Sequence, residues 1–165
     1  MSFKIYEDFL HKNDLANIQE VLQSNTFPWY YNNFKTNDVF SKNTYEFQFT
    51  HIFYNQFNIQ SNFFEVLNPI LNKINPTSLI RIKANLNTIQ KEIQQYPFHT
   101  DFKSDKDIKT GIFYVNTNNG KTVFKDNTVS ESIENRFICF CSNIEHAATT
   151  HTDTKTRIVI NINWI

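Results

Sequence analysis

Residues 135–163 read NRFICFCSNIEHAATTHTDTKTRIVININ, and the fold turns on how the last segment is read. Successive side chains of a strand point to opposite faces. In residues 156–163 this puts Ile158, Ile160 and Ile162 on one face and Arg157, Val159 and Asn161 on the other. The all-isoleucine face suits packing against helices or a second sheet. The other face, opened by an arginine, suits the lining of a cavity. Residues 135–142 read as another strand and 146–151 as a shorter one, divided by the turn signal SNIE.

Outward from this segment, the chain after Pro76 is a run of short strands. SLIRIKANLNT (78–88), FHTDF (98–102), IKTGIFYVNT (108–117) and KTVFK (121–125) complete the set, with TNNGK as a further turn signal. Before Pro76 the pattern is mixed. FKIYEDFL (3–10) reads as an opening strand. Residues 13–25 read as a helix, with Leu15, Ile18, Val21 and Leu22 on one stripe and Asn13 or Asp14 as the cap. PWYY and residues 44–54 are aromatic strands. Residues 61–74 read as a second helix opened by Ser61, with Pro69 placed to kink or split it. Helices followed by antiparallel strands predict an α+β fold. Seven or eight short strands must hide their edges, and a jelly roll, or double-stranded β-helix, with the N-terminal helices packed on one sheet does so most economically. The 165 residues suit a single domain, with 1–77 as support and 78–165 as the core.

Composition excludes several classes of function. The formal net charge is zero, so no basic excess points to a nucleic-acid backbone. Aromatics at 16%, with only 2 Gly and 4 Pro, leave no disordered or linker tract. No segment approaches the roughly 20 apolar residues of a membrane span, and the N-terminus lacks a signal-peptide pattern. Cys139 and Cys141 are two apart on a strand, a geometry unsuited to a mutual disulfide. Reduced thiols predict a cytoplasmic setting. There is no Gly-rich phosphate loop, no serine nucleophile motif and no cysteine beside a basic residue.

What remains is His99 and Asp101, in PFHTDF (97–102), aimed at one point from one strand face. Two histidines and a carboxylate forming a triangle hold non-haem Fe(II) and leave open positions. The third ligand must come from a distant strand, with His51, His146 and His151 as candidates. His151 stands six residues before Arg157, too few to finish one strand, turn and enter the next. His51 lies in an aromatic strand and reads as packing. An arginine at 157 matches a carboxylate bidentately.

HTD, then GIFYVNTNNGKTVFKD, then residues 135–163, in that order, resemble the Fe(II)- and 2-oxoglutarate-dependent oxygenases. The likeness is to the prolyl-4-hydroxylase-like branch, including small bacteriophage-encoded members, and covers residues 78–165. The resemblance implies His99, Asp101 and His146 as the iron ligands. It implies Arg157 and Tyr114 as partners of the far carboxylate of 2-oxoglutarate. A family tyrosine on the preceding strand is replaced here, so Asn85 or Asn87 takes its place. The implied reaction uses O₂ and 2-oxoglutarate to hydroxylate a peptide or small-molecule substrate, releasing succinate and CO₂. A non-catalytic metal-binding jelly roll and a nucleic-acid demethylase are the alternatives, the latter disfavoured by the neutral charge. The loops 31–44, 87–97 and 102–108 are expected to choose the substrate.

Overall fold

A computed structural model describes residues 3–33, 47–103 and 107–165. In it the isoleucine face of the last strand is buried, as alternation requires, and the rest of the fold is arranged around that strand. The elements run β1 (Lys4–Tyr6), α1 (Lys12–Gln23), β2 (Tyr30–Asn32), β3 (Gln48–Asn55), β4 (Asn58–Ile59), a 3-10 turn (Phe64–Leu67) and α2 (Asn68–Ile74). Then follow β5 (Leu79–Thr88), β6 (Lys109–Tyr114), β7 (Asn118–Phe124), β8 (Val129–Ser132), β9 (Phe137–Cys141), β10 (His146–Ala148) and β11 (Thr156–Trp164).

The strands form two antiparallel sheets. The larger runs β1-β9-β6-β11-β5-β3-β2, with β4 paired to β3; the smaller runs β10-β7-β8. This is the double-sheet α+β arrangement expected from the sequence. On the outer face of the large sheet, Ile158, Ile160 and Ile162 join Ile82, Ala84 and Phe113 in one apolar core, covered by Leu15, Ile18 and Leu22 of α1. Each of the Ile, Leu and Phe side chains, fully buried, contributes about 1.5–3 kcal/mol. A second cluster fills part of the space between the sheets, with Tyr114, Phe124, Ile138, Phe140 and Val159 at its centre. The remainder of that space is polar, and it holds the site.

Several sequence expectations shift by a few residues, for local reasons. Helix α1 begins earlier than expected: its cap is His11, which makes no side-chain capping bond, and Asp14 falls in the first turn. Pro69 does split the segment 61–74, because Pro is tolerated only in the first turn. A 3-10 turn ends at Leu67, and α2 starts with Pro69 in its first turn. TNNGK is not wholly a turn, since Asn118–Gly120 already belong to β7. Strand β8 was not anticipated; its polar alternation, VSES, offers no apolar face. Residues 44–46 of the expected strand 44–54 lie outside the described residues, and the rest is β3.

Residues 98–102 are not a ladder strand. The segment is extended and attaches to β10 only by isolated bridges, Gln95 to Thr149 and His99 to His146. Tyr96 donates to the Ala148 carbonyl and His99 to the His146 carbonyl, each at 2.9 Å. Three residues on one side thus oppose two on the other. Pro97 has no N–H to contribute, so the ladder breaks there, in the manner of a bulge that re-aims a side chain.

Candidate metal centre and its cavity

The bulge sets His99 directly opposite His146. Their backbones exchange two hydrogen bonds of 2.9 Å, and their ring centroids lie 4.5 Å apart. Two residues on, the Asp101 amide donates to the Ser142 carbonyl, so the carboxylate points the same way as both rings. One ligand atom each from His99, Asp101 and His146 lie within 4.8 Å of one another. Among the described residues this is the single such grouping of His, Cys, Asp and Glu.

Each side chain of the trio is oriented by a neighbour. The His146 ring packs edge-on to Phe140, and its Nδ1 donates to the Ile144 carbonyl at 3.0 Å. That tautomer leaves Nε2 with a free lone pair, as a metal ligand requires. Burial first, and the adjacent His146 second, pull the His99 pKa below its ordinary value, favouring the neutral ring that can ligate. Asp101 accepts from Thr110 Oγ1 and Asn163 Nδ2 at 2.9 Å each, and pairs with Arg81 at 3.3 Å. Burial alone raises its pKa, but His146, Arg81 and those two bonds outweigh it, and the carboxyl is held below its ordinary range. Asn163 also donates to Thr110 and accepts from Arg81, which closes the network. Arg81, Thr110 and Asn163 were missed from sequence. Asn163 was in principle visible, since it continues the Arg157, Val159, Asn161 face.

The trio opens into a cavity of about 520 Å³, within the range of small-molecule sites. Asn85, Asn87, Asn161 and Arg157 all line it. Register explains why: Arg157 pairs with Asn87 and Val159 with Asn85 across β11 and β5, so these side chains share the inner face. The Oδ1 atoms of Asn85, Asn87 and Asn161 are buried without a hydrogen-bond partner. Arg157 is only 2% exposed. Its Nε donates to Ser132 Oγ at 2.9 Å and its guanidinium stands 5.8 Å over the Tyr114 ring. No carboxylate among the described residues pairs with it. Burial pulls its pKa down, opposed by Tyr114 and Tyr96. Gly120 is required beside it, because a Cβ there would sit 2.9 Å from Arg157 Cδ.

Tyr114 lies beneath Arg157 and is not itself among the residues that line the cavity. Its hydroxyl is not free: it donates to Thr122 Oγ1 at 2.8 Å, and the ring belongs to the inter-sheet core. Tyr114 therefore supports the guanidinium from beneath, and Thr122 is the residue that reaches the cavity. Burial raises its pKa, so it stays a neutral donor. The remaining histidines stand apart from the trio. His51 is packed among Phe27, Phe53 and Phe63 and bonded to the Pro28 carbonyl and Ser61 Oγ, as a structural histidine should be. His151 is fully buried and His11 caps α1. Cys139 and Cys141 are free and half-buried. Of the loops expected to choose the substrate, 34–44 and 104–106 lie outside the described residues.

The donor set fits a divalent metal of the two-histidine, one-carboxylate kind. The buried Arg157, which no carboxylate among the described residues pairs with, fits a small carboxylate-bearing ligand, and the orphaned asparagine oxygens, as acceptors, fit a donor group of a bound molecule.

No family model matches the sequence, and no curated protein matches it. Solved structures do resemble the fold. It is similar to the folds of 2-oxoglutarate-dependent enzymes, and the similar structures include several prolyl hydroxylases. One is a prolyl hydroxylase from Trichoplax adhaerens in complex with a hypoxia-inducible factor peptide, with TM-score 0.70, 15% identity, and 99% of this chain and 83% of that one covered. A viral collagen prolyl hydroxylase from Paramecium bursaria Chlorella virus-1 gives TM-score 0.59 at 12% identity, covering 99% and 90%. A non-haem α-ketoglutarate-dependent epimerase from nogalamycin biosynthesis gives 0.69 at 10% identity, covering 99% and 77%. At these identities the likeness establishes the fold.

Proposed function

We propose that this protein is an Fe(II)- and 2-oxoglutarate-dependent oxygenase, with hydroxylation of a prolyl or other side chain as the reaction suggested by its structural neighbours. One observation carries the reading: the His99, Asp101, His146 trio and a buried arginine lacking an anion face the same cavity. Ferrous iron, when bound, supplies the oxidising chemistry by coupling O₂ and 2-oxoglutarate to substrate hydroxylation, with succinate and CO₂ released.

The chain's own residues supply geometry. His99 and His146 present ring nitrogens, and Asp101 adds one negative charge whose direction Thr110 and Asn163 hold. Arg157 receives the far carboxylate of the co-substrate, its fork aligned by Ser132 and the Tyr114 face. Asn85 and Asn87 offer further polar contacts along the same cavity wall. Burial of the guanidinium excludes water from its ion pair and strengthens it. No helix among the described residues is long and apolar enough to cross a membrane. The two free thiols support a cytoplasmic setting, and residues 1–165 act as one domain.

Anaerobic addition of Fe(II) and then 2-oxoglutarate tests the reading by visible absorption. A weak charge-transfer band is expected only when both are present, followed by succinate on admitting O₂. A folded protein that gives neither is a metal-binding jelly roll without the co-substrate.

A further inference from the structure

Arg157 is not the cavity's sole uncommitted cation. Lys83, on β5, also lines it and also lacks a carboxylate within ion-pair distance among the described residues. Arg81, two residues before it on the same face, is already committed to Asp101 and Asn163. Across the ladder from Lys83 stands Asn161, whose Oδ1 is buried and unpaired. Burial first, and Arg81 second, pull the Lys83 pKa down to about 8, with Asp101 opposing them. The ammonium is therefore still mostly charged at neutral pH.

Two arguments separate Lys83 from the co-substrate subsite. The first is position. Lys83 pairs in register with Asn161 and Arg157 with Asn87, four residues apart along the strand, about 13 Å of backbone. Lys83 lies toward the metal end, within electrostatic reach of His99 and Asp101. A co-substrate carboxylate at that end has the metal as its counter-charge. The second is charge balance. Among the described residues, Arg81, Lys83, Lys103 and Arg157 line the cavity against one carboxylate, Asp101. A divalent metal and a dicarboxylate cancel each other, so the loaded cavity keeps its cationic excess. A half-buried cation without a partner among the described residues still carries a desolvation cost, and substrate is what remains to supply one.

We propose that Lys83 anchors a carboxylate on the primary substrate, with Asn161 Oδ1 beside it accepting from a neighbouring N–H or O–H of the same substrate. This rests on the oxygenase reading and narrows it: the substrate is an acid, either a small free carboxylic acid or a peptide whose Asp or Glu side chain enters the cavity. Hydroxylation then occurs on a carbon held at a fixed distance from that carboxylate.

The test uses full-length protein loaded anaerobically with redox-inert Zn(II) and 2-oxoglutarate. Acetate, N-acetyl-aspartyl-methylamide and neutral acetamide are titrated in turn, followed through the Lys83 side-chain resonances and by calorimetry. Saturable binding of a carboxylate probe is expected, at least tenfold tighter than acetamide. It should be lost in Lys83→Gln and kept in Lys83→Arg, while 2-oxoglutarate affinity stays within about twofold. Preference between the free acid and the aspartyl probe identifies the source of the carboxylate. Acetamide binding as well as acetate overturns the proposal, as does absence of saturable carboxylate binding to the loaded protein. A tenfold loss of 2-oxoglutarate affinity in Lys83→Gln also overturns it, by assigning Lys83 to the co-substrate. Failure of the parent protein to bind Zn(II) and 2-oxoglutarate overturns the oxygenase reading itself, and the proposal with it.

Discussion

Arg157→Met separates a binding role from a structural one, because the two predict opposite signs in the metal-free, ligand-free protein. Methionine preserves most of the length and apolar stem of the arginine while removing its charge. In the parent the guanidinium is 2% exposed and faces no carboxylate among the described residues, and such an uncompensated buried charge costs about 3–5 kcal/mol. The variant loses the Nε bond to Ser132, worth about 1.5–3 kcal/mol for a charged donor. The difference, about 0–3.5 kcal/mol, favours the unliganded variant, a rise in Tm of up to roughly 7–14 °C for a chain of this size. Binding moves the other way. Truncating one partner of a buried, hydrogen-bonded charge pair costs about 2–5 kcal/mol, so 2-oxoglutarate affinity should fall by about 30-fold to several thousand-fold. Metal affinity should be unchanged, since Arg157 is not in the trio. Differential scanning calorimetry on the apo proteins and isothermal titration on the Zn(II)-loaded proteins measure both signs. A variant that melts several degrees lower, with 2-oxoglutarate affinity within threefold of the parent, refutes the reasoning and makes Arg157 a structural residue.

The remaining predictions concern the supports of the site and the fold. His146→Ala should weaken Zn(II) or Fe(II) binding by at least about 100-fold, read by competition titration, because one of three protein ligands is gone; parental affinity would sink the assignment. Thr110→Val keeps shape but removes a bond that aims Asp101, so metal affinity should drop about tenfold with little change in fold. Gly111→Ala drives a Cβ into the Phe137 ring and to 2.9 Å from Trp164, and overpacking of this kind should destabilise by about 1–3 kcal/mol in a urea melt. The His51 pKa is lowered from 6.5, chiefly by burial, with the Pro28 carbonyl opposing. A depressed folded pKa contributes stability above the unfolded value and loses it as pH falls toward the folded one. Metal-free protein should therefore lose Tm below about pH 6.5, and less steeply in His51→Gln; parallel slopes would count against this.

How much was legible in the sequence varies from one element to the next. The isoleucine alternation in β11 named both its buried face and its cavity face, because a strand has only two sides. The trio was legible because its order along the chain, together with a resemblance, stood in for geometry. The network around Asp101 was not, because Arg81, Thr110 and Asn163 come from three strands distant in sequence. The bond that the Tyr114 hydroxyl makes to Thr122 was not legible for the same reason. Strand alternation says which face a side chain occupies, but not that Thr122 stands within 2.8 Å of it. The strand expected at 98–102 failed for a local cause, Pro97, whose missing donor breaks the ladder and yet brings His99 opposite His146.

By itself the sequence determined the α+β class, the buried stripes of α1 and β11, and the residue types from which a metal site must be drawn. Those follow from short-range rules, the period of an element and the chemistry of a side chain. Register was decided by the tertiary structure alone. The pairing of Arg157 with Asn87 and of Lys83 with Asn161 sets which polar groups share a cavity and which are left without a partner there. Register depends on the summed packing of two sheets and the helices over them, and a one-residue slip would turn every one of those side chains to the other face.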